Sequence, residues 1–315
     1  MTNSTPKISI VTAAYNMERF IEQTIRSVVD QKTPEVEYVL VDGASSDATL
    51  SIARRYAASI DTLISEPDDG QYHAIAKGFS RCSGEIMGWI NADDILMPWT
   101  FSVVAQIFDQ FPEVDWITGS PSFLNEAGQL GRIQWRLPAY PRSFIANGWY
   151  QRRLGAYLQQ ESMFWRRSLW DRVGGLDLRH GLAADFDLWT RFAEHADLIP
   201  VDLPLAAFRE RADARSSAGA ATYEAEVAAI CAAKPRPPAL WRFMAGLGLG
   251  PRAVARLLIR RPGGAIIYDR NRRAWVKVRR WRSISRVSPS MLLDEWIMRR
   301  HGRTGPPAPS DPGPR

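Results

Sequence analysis

Residues 84–98 read GEIMGWINADDILMP. An apolar run from Ile86 to Ile90 climbs into Asn91-Ala92-Asp93-Asp94, and Pro98 follows soon after. Consecutive apolar residues suit a strand covered on both faces. The carboxyl end of such a strand is where open α/β sheets hold their ligands. The flanking sequence repeats the pattern. Ile8 to Ala13 (ISIVTA) and Val36 to Val41 (VEYVLV) read as buried strands, Thr62 to Ser65 and Asp115 to Thr118 as two more. Between them, Glu18 to Asp30 carries apolar residues at 20, 21, 25, 28 and 29, a helical spacing. Ser46-Asp47 opens a helix through Tyr56, because short polar side chains cap free N–H groups. Further helices are predicted over 69–82 and 99–111. This alternation implies α/β architecture, a mostly parallel central sheet with helices on both faces. Polar clusters then fall at three strand ends: Thr12 to Asn16, Asp42 to Asp47, and Asn91 to Asp94.

The 315 residues, 45% hydrophobic and 23% charged, suffice for a large soluble core. Two cysteines, Cys82 and Cys231, exclude a disulfide framework and a Cys/His zinc site, and fit a reducing, cytoplasmic setting. The start, MTNSTPKISI, has no signal-peptide pattern. The net charge of +6 is unevenly spread. Residues 231–315 hold 19 Lys/Arg against 4 Asp/Glu, and the first 230 hold 21 against 30. Such asymmetry suggests two parts with different partners.

Asn91 and Asp93 stand at alternate positions, so in an extended segment their oxygens share a face. Oxygen ligands on one face suit Mg²⁺ or Mn²⁺, which takes one or two carboxylates and completes its shell with water and phosphate. A capped turn into the next helix would explain the same residues equally well.

Five blocks bear on that choice: ISIVTAAYNMERFIEQTIRSV, YVLVDGASSDAT, SEPDDGQYHAIAKGF, GEIMGWINADDILMP, and ESMFWRRSLWDRVGGLDLRHGLAADFDLWTRFAEHADL. In this order they resemble the inverting GT-A nucleotide-sugar glycosyltransferases of glycosyltransferase family 2, over about residues 7–215. The resemblance implies that Thr12, Ala13, Tyr15 and Asn16 border the nucleotide and that Asp42 contacts a uridine-like base or its ribose. It places Asp69 and Lys77 where the family closes over nucleotide and diphosphate. Asn91, Ala92, Asp93 and Asp94 occupy the DxD region, with Asp93 and Asp94 as metal residues, and Asp185 falls at the general base. A UDP-sugar donor is favoured. Chemistry gives each role a reason: cations stabilise a diphosphate leaving group, and a hydroxyl nucleophile needs a carboxylate to take its proton. Asp185 also opens a helix, where a carboxylate is favourable in its own right. Asp187 is the reserve base, and Glu161 in LQQES is placed on the acceptor side. Plainer readings stay open: Asp42 as turn chemistry, Lys77 as a solvated helix residue, Tyr15-Asn16 as a helix start, and Trp165, Trp170 and Trp189 as core. Asn91 in place of Asp, and His73 and Ala76 in place of Asp and Asn, depart from the family pattern.

Residues 1–218 are expected to form the GT-A domain, 219–303 a basic helical extension, and 304–315 a disordered tail. Trp241 to Arg261 and Trp275 to Arg286 mix apolar and cationic residues, a pattern that can lie on an anionic membrane surface. A helical appendage packed on the domain is the alternative, and nucleic acid is disfavoured. The membrane reading suits a glycan or lipid-linked acceptor, in cell-surface polysaccharide synthesis at the inner face of the membrane. A nucleotidyltransferase would show a Gly- and Arg-rich phosphate loop after the first strand, which AAYNMERF is not. An inactive nucleotide-binding scaffold fits poorly with the retained Asp93 and Asp185.

Overall fold

The computed structural model describes residues 7–133, 140–151, 157–211, 219–237, 239, 242–243 and 264–278. Strands β1 (Ile8–Ala14), β2 (Val36–Asp42), β3 (Thr62–Ser65) and β4 (Ile86–Trp89) alternate with helices α1 (Ile21–Val29), α2 (Thr49–Arg55) and α3 (Gln71–Phe79). Then follow β5 (Ile95–Leu96), α4 (Thr100–Gln110), β6 (Trp116–Thr118), β7 (Ser122–Leu124), β8 (Leu130–Ile133) and α5 (Arg142–Ala146). A 3₁₀ turn at Gln160–Ser162 leads into β9 (Met163–Arg166), α6 (Arg167–Val173), α7 (Ala184–His195), β10 (Leu198–Pro200) and β11 (Ala206–Arg209).

The main sheet has seven strands in the order β10-β6-β9-β4-β1-β2-β3. All its pairings are parallel except those of β9, which runs antiparallel between β4 and β6. Its central strand β1 is buried along nearly its whole length, which is why ISIVTAA is apolar or small throughout rather than alternating. Helix α3 lies so close over β1 that a Cβ on Gly78 would stand 2.5 Å from Val11 Cγ1. A second sheet, β5-β11-β7-β8, forms beside the ends of β4 and β6.

On one face of the main sheet Trp89, Trp116, Trp165 and Trp189 are all at most 1% exposed, and Trp189 stacks on Trp89 and Trp116 at ring separations of 5.5 and 5.6 Å. These aromatics are core, as Trp165 and Trp189 were read. Each large apolar ring removed from water contributes a few kcal/mol, so the slab fixes the spacing between β4, β9 and α7.

The region after residue 218 departs from the expected helical extension. Helix α8 (Ala220–Cys231) is present, but β12 (Ala265–Asp269) and β13 (Ala274–Val278) form an antiparallel hairpin. AIIYD and AWVKV are β-branched and aromatic around an Arg/Asn turn, which favours strand over helix. The hairpin packs on the sheet and α4: Val201 bridges Ile266, the Trp275 indole donates to Gln106 (3.2 Å), and Gln110 donates to the Trp275 carbonyl (2.6 Å). Both α8 and the hairpin belong to one compact unit reaching Ser283. Nearly all of 241–261, the rest of 275–286, and 304–315 lie outside the described residues.

Candidate active site

A cleft of about 1130 Å³ opens at the carboxyl ends of β1, β2 and β4. Ala13 and Tyr15 line it from β1, Gly43 and Ala44 from beyond β2, and Asn91, Ala92 and Asp93 from beyond β4. The start of α3, the 3₁₀ turn, α7 and α8 complete the walls with Asp68, Gln71, Glu161, Asp185 and Tyr223. Ala44 sits at φ 58° and Asn16 at φ 52°, a left-handed conformation that costs a non-glycine residue energy. Both strained residues are beside the cleft mouth.

The Asn91–Asp94 turn is built around a buried arginine. Arg209, fully buried at the end of β11, donates from Nε to the Asp93 carbonyl (2.6 Å) and from its backbone N–H to Asp94 Oδ1 (2.8 Å). Its other guanidinium nitrogens reach Gln23 (2.7 Å) and the Glu126 carbonyl (2.9 Å). Held this way, Asp93 turns its carboxylate to the cleft, where Arg211 donates to it at 2.8 Å. Asp94 turns inward and is fully buried. Burial first, then the charges of Asp93 and Glu161, holds its carboxyl far above the usual range. The Asn91 carboxamide is tied at both ends, accepting from Gln71 (2.6 Å) and donating to Asp94 (3.0 Å).

Asp185 lines the cleft from the first turn of α7, its carboxylate accepting from the Phe186 N–H at 2.7 Å. Burial and the Asp185 carboxylate together raise the Tyr72 phenol well above its ordinary value. The chain entering α7 is itself clamped. Glu226 of α8 accepts the backbone N–H groups of Gly181 (3.1 Å), Leu182 (2.9 Å) and Ala183 (2.8 Å). Glu161, 3% exposed, lines the same cleft. Burial, then the charges of Asp93 and Asp185, pushes its carboxyl up to about 8.

Of the residues singled out from sequence, Ala13, Tyr15, Asn91, Ala92, Asp93, Glu161 and Asp185 meet in this one cleft. Seven do not reach its wall, each for a visible reason. Thr12 is buried in the layer behind the sheet, accepting from Tyr38. Asn16 staples the neighbouring loop, accepting from the Ser46 N–H at 2.9 Å. Asp42 is fully buried under that loop, accepting from Ser65 Oγ (2.7 Å) and the Ser45 N–H (3.2 Å), so it shapes Gly43 and Ala44 rather than touching a ligand. Asp69 points to solvent, 91% exposed beside His73, while its neighbour Asp68 lines the cleft. Lys77 faces away and pairs with Glu66 at 2.7 Å. Asp94 is the buried partner just described. Asp187 is taken by Arg191 one turn on, at 2.7 Å, and is a helix salt bridge rather than a reserve base.

Sequence reasoning passed over Asp68, Gln71, Arg209, Arg211, Tyr223 and Glu226. The first two lay within SEPDDGQYHAIAKGF, and the paired arginines of FRER stand at alternate positions beyond an apolar run. Tyr223 and Glu226 lie in α8, beyond the span of any motif.

Among the described residues no three His, Cys, Asp or Glu side chains converge to hold a cation by themselves. Asp93 is the carboxylate of the 91–94 turn on the cleft, so the chemistry fits Mg²⁺ or Mn²⁺ sharing Asp93 with a diphosphate and water. No helix among the described residues is long and apolar enough to cross a membrane.

Comparison with known proteins agrees with this geometry. The S. aureus TarS 1–349 structure in complex with UDP-GlcNAc superposes with a TM-score of 0.55 at 16% identity, covering 81% of this chain and 76% of that one, which establishes the GT-A type of fold. The uncharacterized glycosyltransferase MT1564 of Mycobacterium tuberculosis is 26% identical over 195 residues, 60% of this chain and 70% of its own. Poly-beta-1,6-N-acetyl-D-glucosamine synthase of Staphylococcus epidermidis is 27% identical over 129 residues, 40% of this chain and 31% of that one. The family model "Glycosyl transferase family 2" matches residues 9–172, over half of the chain. With its strand-end cleft and the aspartates that line it, the chain therefore belongs to glycosyl transferase family 2.

Proposed function

We propose that this glycosyltransferase inverts configuration, moving a sugar from a nucleoside-diphosphate donor to a hydroxyl of a glycan or lipid-linked acceptor in cell-surface polysaccharide synthesis. The observation that carries this reading is that Asp93 and Asp185, distant in sequence, line one cleft. The nucleotide lies along Ala13, Tyr15, Gly43 and Ala44, with its diphosphate toward Asp93 and Arg211. Asp185 takes the acceptor O–H proton as that oxygen bonds to the anomeric carbon, and the departing C–O electron pair stays on the diphosphate. Asp185 sits in the first turn of α7, where the helix dipole favours a negative charge. Mg²⁺ or Mn²⁺, held by Asp93, would supply charge stabilisation to the leaving group. Arg211 supplies a second positive charge at the same end.

A UDP-sugar is the favoured donor. The test is a thermal-shift and turnover screen of UDP-GlcNAc, UDP-glucose, UDP-galactose and GDP-mannose, each with and without Mn²⁺. Asp185→Asn should bind the best donor within about threefold of wild type while transfer falls by about 10³-fold or more. Equal loss of binding and transfer would make Asp185 structural. The basic residues after 240 support a position on the inner face of an anionic membrane. Co-sedimentation of the full chain with phosphatidylglycerol vesicles, lost in 0.5 M NaCl, is expected; pelleting no better than with neutral vesicles removes the membrane reading.

A further inference from the structure

We propose that Glu161 recognises the transferred sugar, hydrogen bonding its ring hydroxyls in the cleft that it shares with Asp93 and Asp185. This rests on the reading of the cleft as a glycosyltransfer site.

The 3₁₀ turn that carries Glu161 is already secured by its neighbours. Gln159 bonds both ways to the backbone of Ser122, donating at 2.7 Å and accepting at 3.0 Å. Gln160 donates to the Trp89 carbonyl at 2.8 Å. The Glu161 carboxylate adds only contacts within the turn itself, from Gln159 and its own backbone. It is itself 3% exposed, and its Oε1 has no hydrogen-bond partner among the described residues. A buried polar atom left unpaired costs stability, and selection tolerates that cost where a ligand supplies the partner.

Its position narrows the ligand. Glu161 lines the same cleft as Asp93 and Asp185, and the charges of both bear on it. In an inverting transfer the reacting carbon lies between the leaving oxygen and the base, so the sugar occupies the cleft that these residues share. The chemistry of the side chain agrees. Asp93 and Glu210, two other carboxylates on the cleft, face Arg211 at 2.8 Å and Arg132 at 3.0 Å. Among the described residues Glu161 is paired with no cation, and burial favours its neutral form. A neutral carboxylic acid can donate from one oxygen and accept on the other, which matches adjacent hydroxyls of a hexose and suits neither a metal nor a phosphate.

The test uses the full chain and whichever of the four nucleotide sugars named above wild type turns over fastest. In Glu161→Ala, kcat/KM for that donor should fall about 100-fold, with preference over its epimer reduced. The Kd for UDP or GDP alone should stay within twofold. Glu161→Gln, which keeps two hydrogen-bonding positions, should recover part of the loss and melt at or above the wild-type temperature. The proposal is overturned if kcat/KM and epimer preference stay within threefold of wild type. It is also overturned if free-nucleotide binding and thermal stability fall together with turnover, since Glu161 would then be a structural residue. Should wild type turn over none of the donors, the glycosyltransfer reading and this proposal fall together. A wild type that transfers sugar while both variants match it sinks this proposal alone.

Discussion

Replacing Glu226 by Ala tests whether α8, outside every recognisable motif, is part of the catalytic machinery. The carboxylate accepts three consecutive backbone N–H groups, of Gly181, Leu182 and Ala183, just ahead of the helix that bears Asp185. Gly181 is exposed, so water replaces its lost partner at little cost. Ala183 is fully buried and Leu182 partly so, and their N–H groups would lose a charged acceptor. A hydrogen bond to a charged group contributes roughly 1.5–3 kcal/mol, and two that share one carboxylate are not fully additive. Glu226→Ala should therefore destabilise by about 2–4 kcal/mol. For a chain of this size that lowers Tm by roughly 3–6 °C. Glu226→Gln, which keeps one acceptor oxygen, should lose about 1 kcal/mol. The kinetic effect is selective. The nucleotide end of the cleft is built by β1, β2 and β4, so KM for the donor should change less than threefold. Loosening the approach to Asp185 should cut kcat about 10- to 100-fold, because small misplacements of a catalytic group are expensive. Differential scanning fluorimetry and steady-state kinetics on both variants measure the two effects. A Tm shift under 1 °C with kcat within twofold of wild type would refute the coupling of α8 to Asp185.

Other predictions follow from the same geometry. Arg211→Ala removes the cation that faces Asp93 at 2.8 Å; nucleotide-free Mn²⁺ binding by calorimetry should tighten while diphosphate binding weakens, and an unchanged Mn²⁺ isotherm counts against Asp93 as the metal residue. Glu161 has its carboxyl raised by burial from 4.5 to about 8. The folded chain thus retains a proton that the unfolded chain loses, so this contribution to stability is full below pH 4.5 and declines as pH rises toward 8. The Tm difference between Glu161→Gln and wild type should therefore grow in the mutant's favour from pH 5 to pH 8, and a pH-independent difference rules out a neutral Glu161. Gly43→Val puts a Cβ 2.7 Å from Asp68 Oδ2; weaker nucleotide binding by fluorescence titration is expected, since Gly43 and Asp68 both line the cleft.

The sequence alone determined the alternation of strands and helices and the direction of the cleft, because both follow from local pattern. A strand buried on both faces must be apolar or small at every position, as ISIVTAA and IMGW are, and its polar sequel must fall at the carboxyl end. Asp93 was legible for that reason, and Asp185 through the family resemblance of the block that carries it. What the sequence could not decide was which of two adjacent carboxylates turns outward. Asp93 faces the cleft and Asp94 the interior because Arg209, more than a hundred residues away, holds both. Asp68 rather than Asp69 meets the ligand space, and Asp42 is spent on its own loop, for the same kind of reason: burial and partner supply are set by distant segments. The role of α8 in clamping the approach to Asp185 is wholly tertiary. Its glutamate carries no local signal, since three hydrogen bonds to backbone depend on where the chain folds back and not on any neighbouring residue.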